Sequence, residues 1–276
     1  MSALPRTLIT PAPTWRGLSP AALWRRRDLG LLLALRDVRV RYKQTLLGAA
    51  WALLQPLLTV AVLYVFFGRV IGLADRIPGA AYPVFLFAAL LPWTLFAAGL
   101  NGVASSLVNN AHLITKVYFP RLFLPLAVLA APLLDFAIGV ALLLALMPLF
   151  GVTPGAGLLL LPLVAASCAA AALGPGLLAA ALCVPFRDIR HALPLLVQLG
   201  FFVTPILYPP QFVPARYQWL LWLNPMAGPV EAMRAAVLGN PIPVAGWVAS
   251  TCIALLILTG AVVLFNRLDK RFADLI

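Results

Sequence analysis

Apolar residues in this chain gather in long blocks, and the charged residues stand between the blocks. A charge at mid-bilayer costs about 2.5–3.5 kcal/mol even on an insertion-based scale, so charge-free runs mark segments that can cross a membrane. Six runs qualify. The first covers 49–68, between Lys43 and Arg69, and the second 82–107, between Arg76 and Lys116. The third starts soon after Arg121 and ends near Phe150, where Gly151-Val152-Thr153-Pro154-Gly155 predicts a turn. The fourth covers 158–184, the fifth runs from just after Arg190 to about 208, and the sixth covers 244–265. Each is near or above the roughly 20 residues that span the hydrocarbon as a helix. The pattern predicts an all-α integral membrane fold of six transmembrane helices.

Two segments fit neither a span nor a simple loop. In 19–43, Ser19-Pro20 reads as a helix start, Leu29, Leu32 and Leu33 recur at helical spacing, and Arg25, Arg26, Arg27, Arg36, Arg39, Arg41 and Lys43 surround them. The apolar run is too short to cross, so the segment reads as a basic amphipathic helix lying on the inner membrane surface. Residues 1–18, with three prolines and no apolar core, read as a flexible cytoplasmic tail without a cleavable signal. The second segment, 209–243, is apolar yet broken by seven prolines. Non-helical backbone at membrane depth survives only against protein or water. The segment therefore reads as short helices re-entering the outer leaflet, an interfacial aromatic belt being the plainer alternative.

Composition agrees with lipid as the solvent. The chain of 276 residues is 63% hydrophobic and 10% charged, with a mean hydropathy of +1.00, against roughly 25% charged in soluble domains. The net charge of +12 does not point to nucleic acid, because the basic residues cluster at the ends of the apolar runs. With the N-terminus inside, sixteen of the 20 Lys and Arg residues fall on the cytoplasmic side, which places both termini there by the positive-inside rule.

Candidate chemistry is sparse. There is no G-x-x-x-x-G-K-[ST] phosphate loop, no H-E-x-x-H and no G-x-S-x-G. Cys168, Cys183 and Cys252 lie in apolar stretches with no metal or disulfide spacing, and His112 and His191 are far apart. Asp135 is the one ionisable residue well inside a span. It is either a bonded structural group or the proton site of an ion-coupled carrier. An intramembrane enzyme on lipid-linked sugars would need clustered Asp, His or Arg at one face.

One stretch is more specific. Arg36-Asp37-Val38-Arg39-Val40-Arg41-Tyr42-Lys43-Gln44-Thr45-Leu46-Leu47-Gly48-Ala49-Ala50-Trp51, followed by Leu54-Gln55-Pro56, resembles the start of the first span in type-2 ABC exporter permeases. The branch it resembles exports O-antigen, teichoic acid and related bacterial polysaccharides. Lys116-Val117-Tyr118-Phe119-Pro120-Arg121 is similar to that family's inner loop, and Leu223-Asn224-Pro225-Met226 with Glu231-Ala232-Met233-Arg234 to its outer re-entrant segment.

The resemblance implies that 44–276 is a type-2 transmembrane domain in the bacterial inner membrane. It implies a homodimer working with two copies of a separate ATPase subunit, so that ATP and Mg2+ belong to that partner and this chain is neither an enzyme nor a cofactor binder. The implied cargo is a glycan on a polyprenyl diphosphate or similar lipid. On that footing Asn110, His112, Leu113, Lys116 and Tyr118 are expected at the ATPase contact. Arg36, Arg39, Arg41 and Lys43 form the one dense positive cluster at inner headgroup level and are expected to receive the lipid diphosphate, since arginine forks suit phosphate. Trp51, Tyr64, Phe66, Phe67, Phe202 and Tyr208 are the aromatic candidates for the glycan path.

Overall fold

The computed structural model describes residues 24, 27–43, 50–77, 81–116, 119–153, 155–184, 186 and 188–275, and every regular element among them is helical. Helix α1 is Arg27–Lys43; the first part of the expected interfacial helix lies outside the described residues. Helix α2, Ala50–Leu63, continues without a break into a π-helix, Tyr64–Val70. Helix α3, Tyr82–Asn109, opens with a proline in its first turn, where the missing N–H has no partner to lose. The short α4, Ala111–Lys116, follows directly. Next come α5, Phe123–Val128, and α6, Ala130–Leu146, which ends in a 3-10 turn closed by Gly151 at φ +69°. Helix α7 is Leu161–Cys183, α8 Ile189–Val203, α9 Gln218–Trp222, α10 Ala227–Leu238 and α11 Val244–Leu275.

Among the described residues, five stretches are long and apolar enough to cross a membrane: Leu53–Val70, Tyr82–Asn109, Phe123–Phe150, Gly157–Cys183 and Val244–Leu268. The expected fifth crossing is instead a shorter apolar helix, α8, of 15 residues. At 1.5 Å per residue it reaches about 22 Å, against a hydrocarbon core of about 30 Å. Pro205 explains where it stops. A proline pushes the preceding residue out of the helical region, and Thr204 is extended at ψ 138°.

Helix α3 is the centre of the fold, with residues from Tyr82 to Trp93 almost wholly buried. Helices α2, α6, α7 and α10 pack on it, and α11 packs on α7 and α10. Lipid tails are as apolar as leucine, so close packing of small residues holds such helices together. A Cβ on Gly176 of α7 would lie 2.7 Å from Cγ1 of Val103, and one on Gly228 of α10 would lie 2.7 Å from the Cα of Trp247. At that second crossing the Gly228 N–H donates to Oγ of Ser250, which in turn donates to the carbonyl of Trp222. Helices α2 and α8 are peripheral and expose most of their side chains.

The segment between α8 and α11 holds two short helices, α9 and α10, and α10 is among the most buried elements of the molecule. Arg234 shows how it is fixed. This side chain is 3% exposed, pairs with Glu231 and donates to the carbonyls of Pro205 at 2.8 Å and Ile206 at 2.9 Å. Its guanidinium lies 3.7 Å from the centre of the Phe85 ring. One arginine thus ties α10 to α3 and to the chain beyond α8.

Candidate functional site: the inner-end helix and an intramembrane cavity

Helix α1 docks against α5 and α6. The approach is close at Gly30, where a Cβ would lie 2.8 Å from the Phe123 ring, and Leu33 is buried beside it. Leu31, Leu32, Leu35 and Val40 remain exposed, so only one side of α1 is covered by protein.

Polar contacts hold its C-terminal half at two points. Arg36 pairs with Asp37 at 2.8 Å and donates to Oδ1 of Asn110 at 2.9 Å. Asn110 is itself 8% exposed. Its Nδ2 donates to the Ser106 carbonyl, and its own carbonyl accepts the N–H groups of Leu113 and Ile114 that open α4. In the last turn Arg41 pairs with Asp135 of α6 at 2.5 Å, and the Tyr42 hydroxyl donates to the same carboxylate. Burial, and then the bond to Asp135, push the Tyr42 phenol up to about 12. It is a neutral donor at any physiological pH. The carboxylate in the third span is therefore satisfied from α1 by one cation and one hydroxyl.

Arg41, Tyr42 and Asp135 stand at one side of a cavity of about 510 Å³ between α2, α3 and α6. Trp51, Gln55 and Thr59 line it from α2, and Thr94 and Asn101 from α3. These polar residues fall four and seven apart within apolar runs. That spacing is visible in the sequence, but which faces meet is not. Tyr42, Gln55, Thr59, Thr94 and Asn101 are the site residues that reading the sequence did not single out.

The other expected residues separate into groups. Arg36, Arg39 and Lys43 border a shallow groove on the uncovered side of α1, while Arg41 turns the other way to Asp135. Of the expected ATPase contacts, His112 and Lys116 are exposed and Leu113 is half-buried; Asn110 is turned inward, and Tyr118 lies outside the described residues. Among the aromatics, Trp51 alone lines the cavity. Tyr64 sits against Tyr82, with ring centres 6.5 Å apart, and accepts from Nε of Arg69 at 3.0 Å. Tyr82 donates to the carbonyl of Leu207, next to the half-buried Tyr208. Phe67 packs partly into the core, and Phe66 and Phe202 point outward.

Comparison with known proteins bears on this arrangement. Residues 29–238 match the ABC-2 type transporter family. The chain is 31% identical over 255 residues to the O-antigen export system permease protein RfbA of Myxococcus xanthus, covering 91% of this chain and 96% of that protein. It is 29% identical over 256 residues to the protein of the same name from Klebsiella pneumoniae, covering 90% and 95%. The polysialic acid transport protein KpsM of Escherichia coli is 30% identical over 217 residues, covering 75% and 80%. The family match runs from α1 to the end of α10 and so takes in the docked inner helix, the cavity and the buried outer segment. This multi-pass membrane chain belongs to the ABC-2 type transporter family, and the relatives it resembles are polysaccharide-export permeases.

Proposed function

We propose that this chain is the membrane subunit of an exporter that moves a lipid-linked polysaccharide, O-antigen-like or teichoic-acid-like, outward across the bacterial inner membrane. It works as a homodimer, with both termini cytoplasmic, and two copies of a separate ATPase subunit supply the energy. The observation that carries this reading is the match to O-antigen export permeases over nearly their whole length. Two features of the chain support it. The sequence has no phosphate loop to bind ATP for itself. The exposed side of α4, with His112 and Lys116, sits directly after the central helix α3, where a push from a partner would reach the core.

The test is reconstitution. Purified alone in proteoliposomes, the chain should hydrolyse no ATP. Purified with the ATPase encoded beside it, it should hydrolyse ATP faster when lipid-linked glycan from its own host is added, and glycan should appear on the far side. ATP hydrolysis by the single chain, or a pair indifferent to the glycan, would refute the reading.

A further inference from the structure

Thr94 departs from the pattern of its own helix. Leu90, Leu91, Trp93, Leu95 and Phe96 are buried, yet Thr94 is open, and the same face continues to Asn101. The open space is the cavity between α2, α3 and α6. From α2, Trp51, Gln55 and Thr59 face it at intervals of four residues, the spacing of one helical face. Two polar stripes on neighbouring transmembrane helices thus confront each other across a space of about 510 Å³, within the roughly 300–1,000 Å³ typical of small-molecule sites.

The hydrogen-bonding state of these groups narrows the occupant. Thr59, Thr94 and Asn101 donate to carbonyls of their own helices, those of Gln55, Leu91 and Ala97. Both hydroxyl donors and one of the two Asn101 amide N–H groups are thus used, and the side-chain oxygens remain as acceptors. The Gln55 amide adds both donor and acceptor. A lipid tail here would leave the Gln55 amide and the spare acceptor capacity of the other three unused, at a cost in a water-poor place. A cation would find its one carboxylate already engaged by Arg41 and Tyr42. An anion would find the cation of the cavity, Arg41, already paired with that carboxylate. A neutral polyhydroxylated ring meets none of these objections. Its hydroxyls donate to the free oxygens and accept from Gln55, and its C–H face can lie on Trp51, which is half exposed.

We propose that this cavity, contained within one subunit, binds a sugar ring of the phosphate-linked lipid cargo, with the phosphate left outside it. The proposal rests on the exporter reading and adds to it a sugar-reading site that needs no second copy of the chain.

Binding to the chain purified with its ATPase subunit tests this by calorimetry, with farnesyl diphospho-N-acetylglucosamine, farnesyl diphosphate and phosphatidylglycerol as probes. The wild type should bind the glycosylated probe about tenfold more tightly than farnesyl diphosphate, the size of one or two net hydrogen bonds. Thr94→Val and Thr59→Val keep side-chain shape and remove the acceptor. Each should erase most of that margin while farnesyl diphosphate binds within about twofold of wild type, which also shows the protein folded. An unchanged sugar margin in both variants would overturn the site and leave the exporter reading standing. Phosphatidylglycerol competing as well as the glycosylated probe would overturn it in favour of a general headgroup pocket. If neither farnesyl compound binds the wild type, the exporter reading falls and the site with it.

Discussion

Asp135 is a carboxylate within a transmembrane helix, and what surrounds it decides what it does. A proton relay needs a chain of titrating partners. Asp135 has instead an arginine and a tyrosine hydroxyl brought from α1, ninety-three residues away in the case of Tyr42. That is the bonding of a clasp. Asp135→Asn keeps an acceptor for Tyr42, whereas Asp135→Leu strands both the hydroxyl and Arg41. Tyr42 is half-buried and Arg41 exposed, so stranding them costs less than the full penalty of a buried group, and thermal unfolding in detergent should fall modestly further for the leucine variant. The phenol supplies a second test. Unfolded, Tyr42 loses its proton near the ordinary value of 10; folded, near 12. Between these values the unfolded state binds fewer protons, so stability falls as pH rises. Wild-type melting temperature should drop more steeply from pH 9.5 to 11.5 than that of Tyr42→Phe, and equal slopes would show that the phenol is not held in this way.

Among the elements, α1 carries consequences out of proportion to its length. Its middle meets Asn110, the residue before α4, through Arg36, and its C-terminal turn meets the cavity through Arg41 and Tyr42. The two attachments lie about one and a half turns apart, about 7.5 Å along this stiff helix. It joins the expected ATPase contact to the proposed sugar site without passing through the core. Arg36→Ala and Asn110→Ala should therefore be non-additive in stability, with an interaction of about 0.5–3 kcal/mol. In the assembled exporter each should lower transport per ATP hydrolysed more than it lowers hydrolysis. Strict additivity together with unchanged coupling would remove α1 from the path. The sequence showed α1 as basic and too short to cross, because charge and length are local properties. It did not show that Arg41 turns inward while Arg39 and Lys43 border the groove, since that depends on where α6 lies. The ends of α3 and the turn at Gly151 were legible for the same local reason. The early stop of α8 had its own signal in Thr204-Pro205, overlooked because a charge-free run says nothing about backbone breaks.

For the molecule as a whole, burial is unevenly shared. Helix α3 is covered on nearly every side, while α8 has no buried residue and α2 very few. The uncovered residues of α8, including Leu195, Leu199, Phe202 and Val203, form an apolar face that either meets lipid or meets another copy of the chain. Lipid adapts to any apolar shape and a protein partner does not. Leu199→Trp should therefore be silent on a lipid face, and should shift the detergent-purified chain from dimer to monomer on an interface; under the proposed homodimer the shift is expected, by light scattering.

The π-helix at Tyr64–Val70 has a consequence for how α2 is to be compared with its relatives. Residues five apart on an α-helix point about 140° away from each other, yet Arg69 reaches Tyr64 across that interval with a hydrogen bond of 3.0 Å. It can do so because a π-turn closes its bonds from i to i+5 and brings such residues onto one side. The wider turn holds one residue more than the α-turn it replaces, so in descent it is an insertion. A relative that lacks it should show a one-residue gap between positions 64 and 70 and no arginine–tyrosine pair there. Because the π-helix is the last part of this span, ending at Val70, the change would fall within its final turns, and the position of Gly68, packed here on the Tyr82 ring, would be turned away from it.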